Sequence, residues 1–184
     1  MRSLWIAVLA VMASVPAAQA AIQIDVNKDL QQMTVSVDNV PRYTWPVSSG
    51  NPSHETPNGS FRTFRMEEDH YSKEFDDAPM PHAIFFTKQG HAIHGTDSVG
   101  RLGTSVSHGC VRLSRANALT LWNLVKQEGL LNTTVRLTGS SRVALARNPK
   151  SRTAVAARER EPLTLAPGST YDNPGADDSY GNSA

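Results

Sequence analysis

Apolar residues in this chain come in short runs that alternate with polar ones, and only one stretch carries helical spacing. Ile22, Ile24 and Val26 alternate with polar neighbours, as do Met33, Val35 and Val37, so residues 22–26 and 33–37 read as half-buried strands. Further strands are expected at 42–45, between Pro41 and Pro46, and at 61–65, 83–87, 91–94, 111–113 and 133–137. Residues 48–59 are rich in Ser, Gly, Pro and Asn and read as loop, and the charged, proline-punctuated stretch 67–81 reads as a long surface excursion. At Ser114 the period changes. Ser114 suits an N-cap, Ala118, Leu121, Trp122 and Val125 follow at helical spacing, and Gly129 suits the C-terminal end. Many short strands and one helix predict a mostly β fold, a sandwich or partly closed barrel with the helix packed at one side.

The chain has 184 residues, enough for one domain with appendages. Arg2, an apolar core at 4–13, Pro16 and the small-x-small triplet Ala18-Gln19-Ala20 read as a secretory signal peptide over residues 1–20, cleaved after Ala20. The apolar run is shorter than the ~20 residues that span a bilayer, so a membrane anchor is disfavoured and no span is expected after cleavage. No Cys follows the cleavage site, which disfavours a lipoprotein anchor. The ordered domain is expected over 21–138, and the tail 139–184, poor in large apolar residues, is expected to be disordered or loosely attached. A formal net charge of +1 gives no electrostatic case for nucleic acid as the main partner.

An exported chain with a single cysteine, Cys110, cannot form an internal disulfide. A lone thiol in an oxidising compartment is either reactive by design or buried and inert, and composition does not choose between these. The segment from His94 to Leu113 does more. A nucleophilic thiol needs a base or nearby cation, and His94 and His108 are the local imidazoles. His108 lies along the same strand as the thiol, where sharing a substrate is awkward. His94 ends a predicted strand, and the Gly-rich loop after it lets the chain fold back so that imidazole and thiol face each other. Gly109 allows close backbone approach to a substrate carbonyl, and the amides of His108, Gly109 and Cys110 are candidate oxyanion donors. No carboxylate is placed to orient His94, which leaves a backbone carbonyl, that of Gly95, as the candidate. A zinc reading would use His91 and His94 with His82 or His108, and it is disfavoured by spacing, since three residues along a strand put His91 and His94 on opposite faces.

His94-Gly95-Thr96 followed by Ser107-His108-Gly109-Cys110-Val111-Arg112-Leu113 closely resembles the signature of the L,D-transpeptidases, the YkuD domain. Thr56-Pro57-Asn58-Gly59-Ser60-Phe61 resembles that family's upstream TPxGxF element, and residues 116–125 its helix after the cysteine. The resemblance covers about residues 33–138 and implies a YkuD-like β-sandwich with one main helix. It implies Cys110 as nucleophile, His94 as general base and the Gly95 carbonyl as orienter of that base. It further implies oxyanion stabilisation by amides near His108, Gly109 and Cys110, and substrate contacts by Ser107, His108 and Arg112. No metal or organic cofactor is implied. The implied reaction expels D-alanine from a peptidoglycan tetrapeptide stem through a thioester. The acyl group then passes to an amine of a second stem or of an envelope protein, in the periplasm, cell wall or medium. The family's role is in cell-wall synthesis and cell shape. Hydrolysis on the same site, as a carboxypeptidase or in release of wall-linked protein, is the rival activity. A non-catalytic wall-binding domain is the rival of another class, and an intact Cys110 and His94 argue against it. His82, His91 and Trp45 are expected to serve packing or hydrogen bonding, and His54 and His70 no specific role. No wall-binding module such as a LysM repeat is recognisable.

Overall fold

Residues 21–74 and 77–147 are described by the structure, a computed structural model. The first alternating run forms β1 (Ile22–Asn27), antiparallel to β2 (Gln32–Val37), which pairs in turn with β3 (Val40–Pro46) at the sheet edge. On its other side β1 runs parallel to β9 (Thr133–Thr138), and β4 (Gly59–Arg62) closes this five-stranded sheet against β9. The period-two pattern decides which face is covered: Ile22, Ile24, Val26, Met33, Val35, Val135 and Leu137 are all buried.

A second sheet has the order β5 (Arg65–Ser72), β6 (Ala78–Phe85), β7 (Ala92–Thr96) and β8 (Val111–Ser114), with β7 and β8 parallel neighbours. Register aligns Ile84 with Ile93 and Ile93 with Val111, and Leu113 shares that face. These residues join the apolar side chains of the first sheet and α1 (Arg115–Glu128) in one core. Burying each such aliphatic side chain contributes about 1.5–3 kcal/mol. In α1 the Asn117 amide donates to Ser114 Oγ at 3.2 Å, the Gly129 amide donates to the Val125 carbonyl, and Ala118, Leu121, Trp122 and Val125 are buried. Gly95 lets the helix approach the sheet: a Cβ there would lie 3.2 Å from Arg115 Cα and 3.3 Å from Ala118 Cβ.

The outer face of the second sheet carries a smaller apolar cluster of Met80, Ala83, Phe85 and Ala92, with Cys110 packed against it. The inner face of this sheet therefore makes the core, and its outer face is left for a site.

Three expectations need correction. The run 61–65 is not one strand. Thr63 donates to the Thr133 carbonyl and Phe64 to the Phe85 carbonyl, so the chain crosses from one sheet to the other at this point. Residues 67–81 are mostly not a surface excursion but the paired strands β5 and β6. Pro79 and Pro81 sit where β6 has no β7 partner, since β6 and β7 pair only at Ile84 and Phe85. The tail is ordered at its start: α2 (Ser141–Arg147) buries Ser141 and Ala144. The expected signal peptide and the rest of the tail lie outside the described residues. Among the described residues, no helix is long and apolar enough to cross a membrane.

Candidate active site

β7 and β8 bring the singled-out residues together. His94 is registered with Arg112 and Ile93 with Val111, so His94, Arg112 and the residue before Val111, Cys110, project from the outer face of the sheet. His94 and Cys110 are diagonal neighbours across the register of two adjacent parallel strands. All three line a cleft of about 500 Å³ on that face, with the outer half of the β5–β6 hairpin as its other wall.

His94 is buried, and its Nδ1 lies 2.8 Å from the Gly95 carbonyl. A carbonyl only accepts, so Nδ1 carries the proton and Nε2 is left as the acceptor. Burial lowers the His94 pKa from its usual 6.5 to about 4, and the Arg112 charge adds to this, so the imidazole is neutral at physiological pH. Burial against the apolar cluster pushes the Cys110 thiol up, opposed by the Ala92 amide and by Arg112. Burial thus favours the uncharged form of both the thiol and the imidazole.

The turn before Cys110 is built by Ser107. Its hydroxyl accepts from the Gly109 amide at 3.2 Å and donates to the Cys110 carbonyl at 2.5 Å. Ser107 is fully buried, so it shapes the loop and does not reach the cleft where substrate contact was expected. The Gly109 amide, one of three candidate oxyanion donors, is likewise engaged by Ser107. Gly109 has φ +114° and lies under the His91 ring, whose Cδ2 would be 3.1 Å from a Cβ at that position. His108 and Arg112 do line the cleft, and His108 packs edge-on against His54 at 5.1 Å.

Sequence reasoning missed part of the wall. His70, expected to have no specific role, lines the cleft, holds Glu67 at 2.5 Å and sits edge-on to Phe85. Arg65 stacks over Phe85 with its guanidinium carbon 3.7 Å from the ring centre. His70 lies in the stretch 67–81, expected to be a surface excursion, so only a correct strand assignment could have revealed it, whereas Arg65 ends the strand expected at 61–65 and instead opens β5. His91 precedes β7 and does not share its alternation, so it lines the cleft together with His94, with Nδ1 2.7 Å from Thr87 Oγ1. His82 packs against Trp122, and Trp45 stacks on Tyr43. At the cleft rim Arg115 pairs with Asp97 through two contacts of 2.5 and 2.8 Å. Among the described residues no group of three His, Cys, Asp or Glu side chains is arranged to hold a metal ion.

Comparison with known proteins places this geometry. The model of the YkuD family, the L,D-transpeptidase catalytic domain, matches residues 21–155. A curated Bacillus subtilis relative, the putative L,D-transpeptidase YkuD, is 27% identical over 94 residues, covering 50% of this chain and 54% of its own length. The chain thus spans about half the length of that relative. Among solved structures, an L,D-transpeptidase from Mycobacterium smegmatis is 26% identical with a TM-score of 0.60, covering 65% of this chain and 59% of its own. An LD transpeptidase solved in complex with imipenem is also 26% identical, with a TM-score of 0.57 and the same coverage of each chain. With the fold, the cleft and these matches in agreement, the chain belongs to the YkuD family of L,D-transpeptidase catalytic domains.

Proposed function

We propose that this protein is a cysteine-dependent L,D-transpeptidase that acts on peptidoglycan stem peptides. The observation that carries the reading is the placement of Cys110, His94 and Arg112 on one face of two adjacent strands, with His94 Nδ1 held by the Gly95 carbonyl. Cys110 Sγ attacks the amide carbonyl after the third stem residue while His94 Nε2 takes the thiol proton. The tetrahedral oxyanion is met by backbone N–H groups of the nucleophile loop. As the C–N bond breaks, His94 returns the proton to the leaving amine, D-alanine departs, and a thioester remains. An acceptor amine then attacks the thioester, giving up its proton to His94, and the thiol is regenerated. Arg112, and Arg65 on the opposite wall, supply positive charge suited to the carboxylates of such a donor.

Substrate chemistry of this kind, with the signal peptide expected at 1–20, supports a location outside the cytoplasm, in the periplasm or at the cell wall. The acceptor is an amine of a second stem or of an envelope protein. The similarity to a relative solved with imipenem supports acylation of Cys110 by the same compound.

Intact-mass measurement of the mature protein with a tetrapeptide muropeptide tests the reading, with Cys110→Ala alongside. A covalent adduct on wild type alone, D-alanine release and a cross-linked dimer are expected. Adduct with only a trimmed monomer would reassign the activity to hydrolysis. No adduct and no D-alanine, from a folded protein with a titratable thiol, would sink the enzyme reading for that substrate in favour of wall binding.

A further inference from the structure

The nucleophile loop is held from behind by a buried polar assembly, and one side chain in it has a single possible orientation. Thr56 is fully buried. Its Oγ1 accepts from the Gly50 amide at 2.8 Å and donates its one proton to the Gly109 carbonyl at 2.8 Å. A hydroxyl has only one proton to give, so the Gly50 contact leaves that proton no other direction. The Thr56 backbone is fixed as well. Lys28, 1% exposed, donates from Nζ to the Thr56 carbonyl at 2.6 Å and pairs with Glu55 Oε1 at 2.6 Å. Glu55 in turn accepts from the Ser141 amide at the start of α2.

The Gly109 carbonyl belongs to the peptide whose N–H is that of Cys110, and the described residues contain no cis peptide. In a trans peptide C=O and N–H point in opposite directions. A carbonyl drawn back to the buried Thr56 therefore sends the Cys110 N–H the other way, toward the face that holds the thiol and the cleft. Gly109 at φ +114° is what lets its carbonyl turn inward. With the Gly109 amide engaged by Ser107, the aim of the Cys110 amide matters more.

We infer that Thr56 is a positioning residue that sets the Cys110 backbone N–H as an oxyanion donor, acting through the Gly109 carbonyl. This rests on Cys110 accepting acyl groups, as proposed above, and it calls for a probe that does not need the natural substrate. Alkylation by iodoacetamide forms no oxyanion, whereas acylation by p-nitrophenyl acetate does. The two rates should separate in Thr56→Val, which keeps the shape and removes the hydroxyl. Acylation, read as p-nitrophenolate release, is expected to fall about tenfold or more, in line with the cost of misplacing one such donor. Alkylation is expected to stay within about twofold of wild type, and Thr56→Ser should restore acylation. Thr56→Ala carries the same comparison where the Val variant does not fold. Unchanged acylation, a parallel fall of both rates, or a Ser variant as slow as Val would each overturn the inference. Because neither probe is a muropeptide, failure of the transpeptidase reading would show separately, as a wild type that reacts with the ester and not with the stem peptide.

Discussion

His94 keeps its proton on Nδ1 and its lone pair on Nε2, and its burial makes protonation expensive. An imidazole depressed from 6.5 to about 4 favours the folded state only while neutral. Its contribution is complete above pH ~6.5 and is lost as pH falls toward ~4, a total loss on the order of 3 kcal/mol. Urea unfolding of wild type should therefore weaken over that window, and His94→Gln should flatten the dependence. If the two proteins lose stability in parallel, His94 is not the group responsible. Arg112 acts on both reactive groups, because its charge opposes the imidazolium and favours the thiolate. Arg112→Gln should then raise both pKa values, seen as a higher His94 midpoint by NMR and a higher midpoint for iodoacetamide alkylation of Cys110. A downward move of either would contradict the assignment.

Among the elements, those most legible in sequence are those whose stability comes from burying one face. β1, β2, β9 and α1 show their period plainly because Ile24, Val35, Val135 and Leu121 are all buried in one core. The β5–β6 hairpin was illegible because β5 owes its place to pairing rather than to a buried face. Its Glu67, Glu68 and Asp69 hide the alternation, and the prolines of β6 mimic a loop. The same reason hid His70, while Cys110, His94 and Arg112 were visible through local motif chemistry. α2 was missed because one buried alanine and one buried serine leave almost no apolar pattern. Two substitutions test how α1 is seated. Ser114→Ala removes the cap and should cost about 1 kcal/mol. Gly95→Ala pushes a methyl against Arg115 and Ala118 and should cost about 1–3 kcal/mol, with both values read from denaturant melts. An unchanged midpoint for Gly95→Ala would mean that α1 shifts freely on the sheet.

Across the whole molecule, a polar path runs from α2 through Glu55 and Lys28 to Thr56 and the nucleophile loop, so the segment after β9 belongs to the catalytic unit. Ending the chain after Thr138 removes the Ser140 amide bond to Asp29, the Ser141 contacts with Glu55 and the buried Ala144. Such a truncation should lower stability by about 1–3 kcal/mol, measured as a shift in Tm. An unshifted Tm would make α2 a bystander. The parallel pairing of β1 with β9 also governs how the protein comes into being. β1 is among the earliest folded-domain residues to leave the ribosome, and the strand that completes its sheet is among the last, with Ile22 facing Thr133. Until then the middle of a sheet lies open, with amides and carbonyls ready to pair with whatever passes. A nascent or prematurely terminated chain is thus sticky, not partly functional, and folding is a late event that follows synthesis of nearly the whole domain.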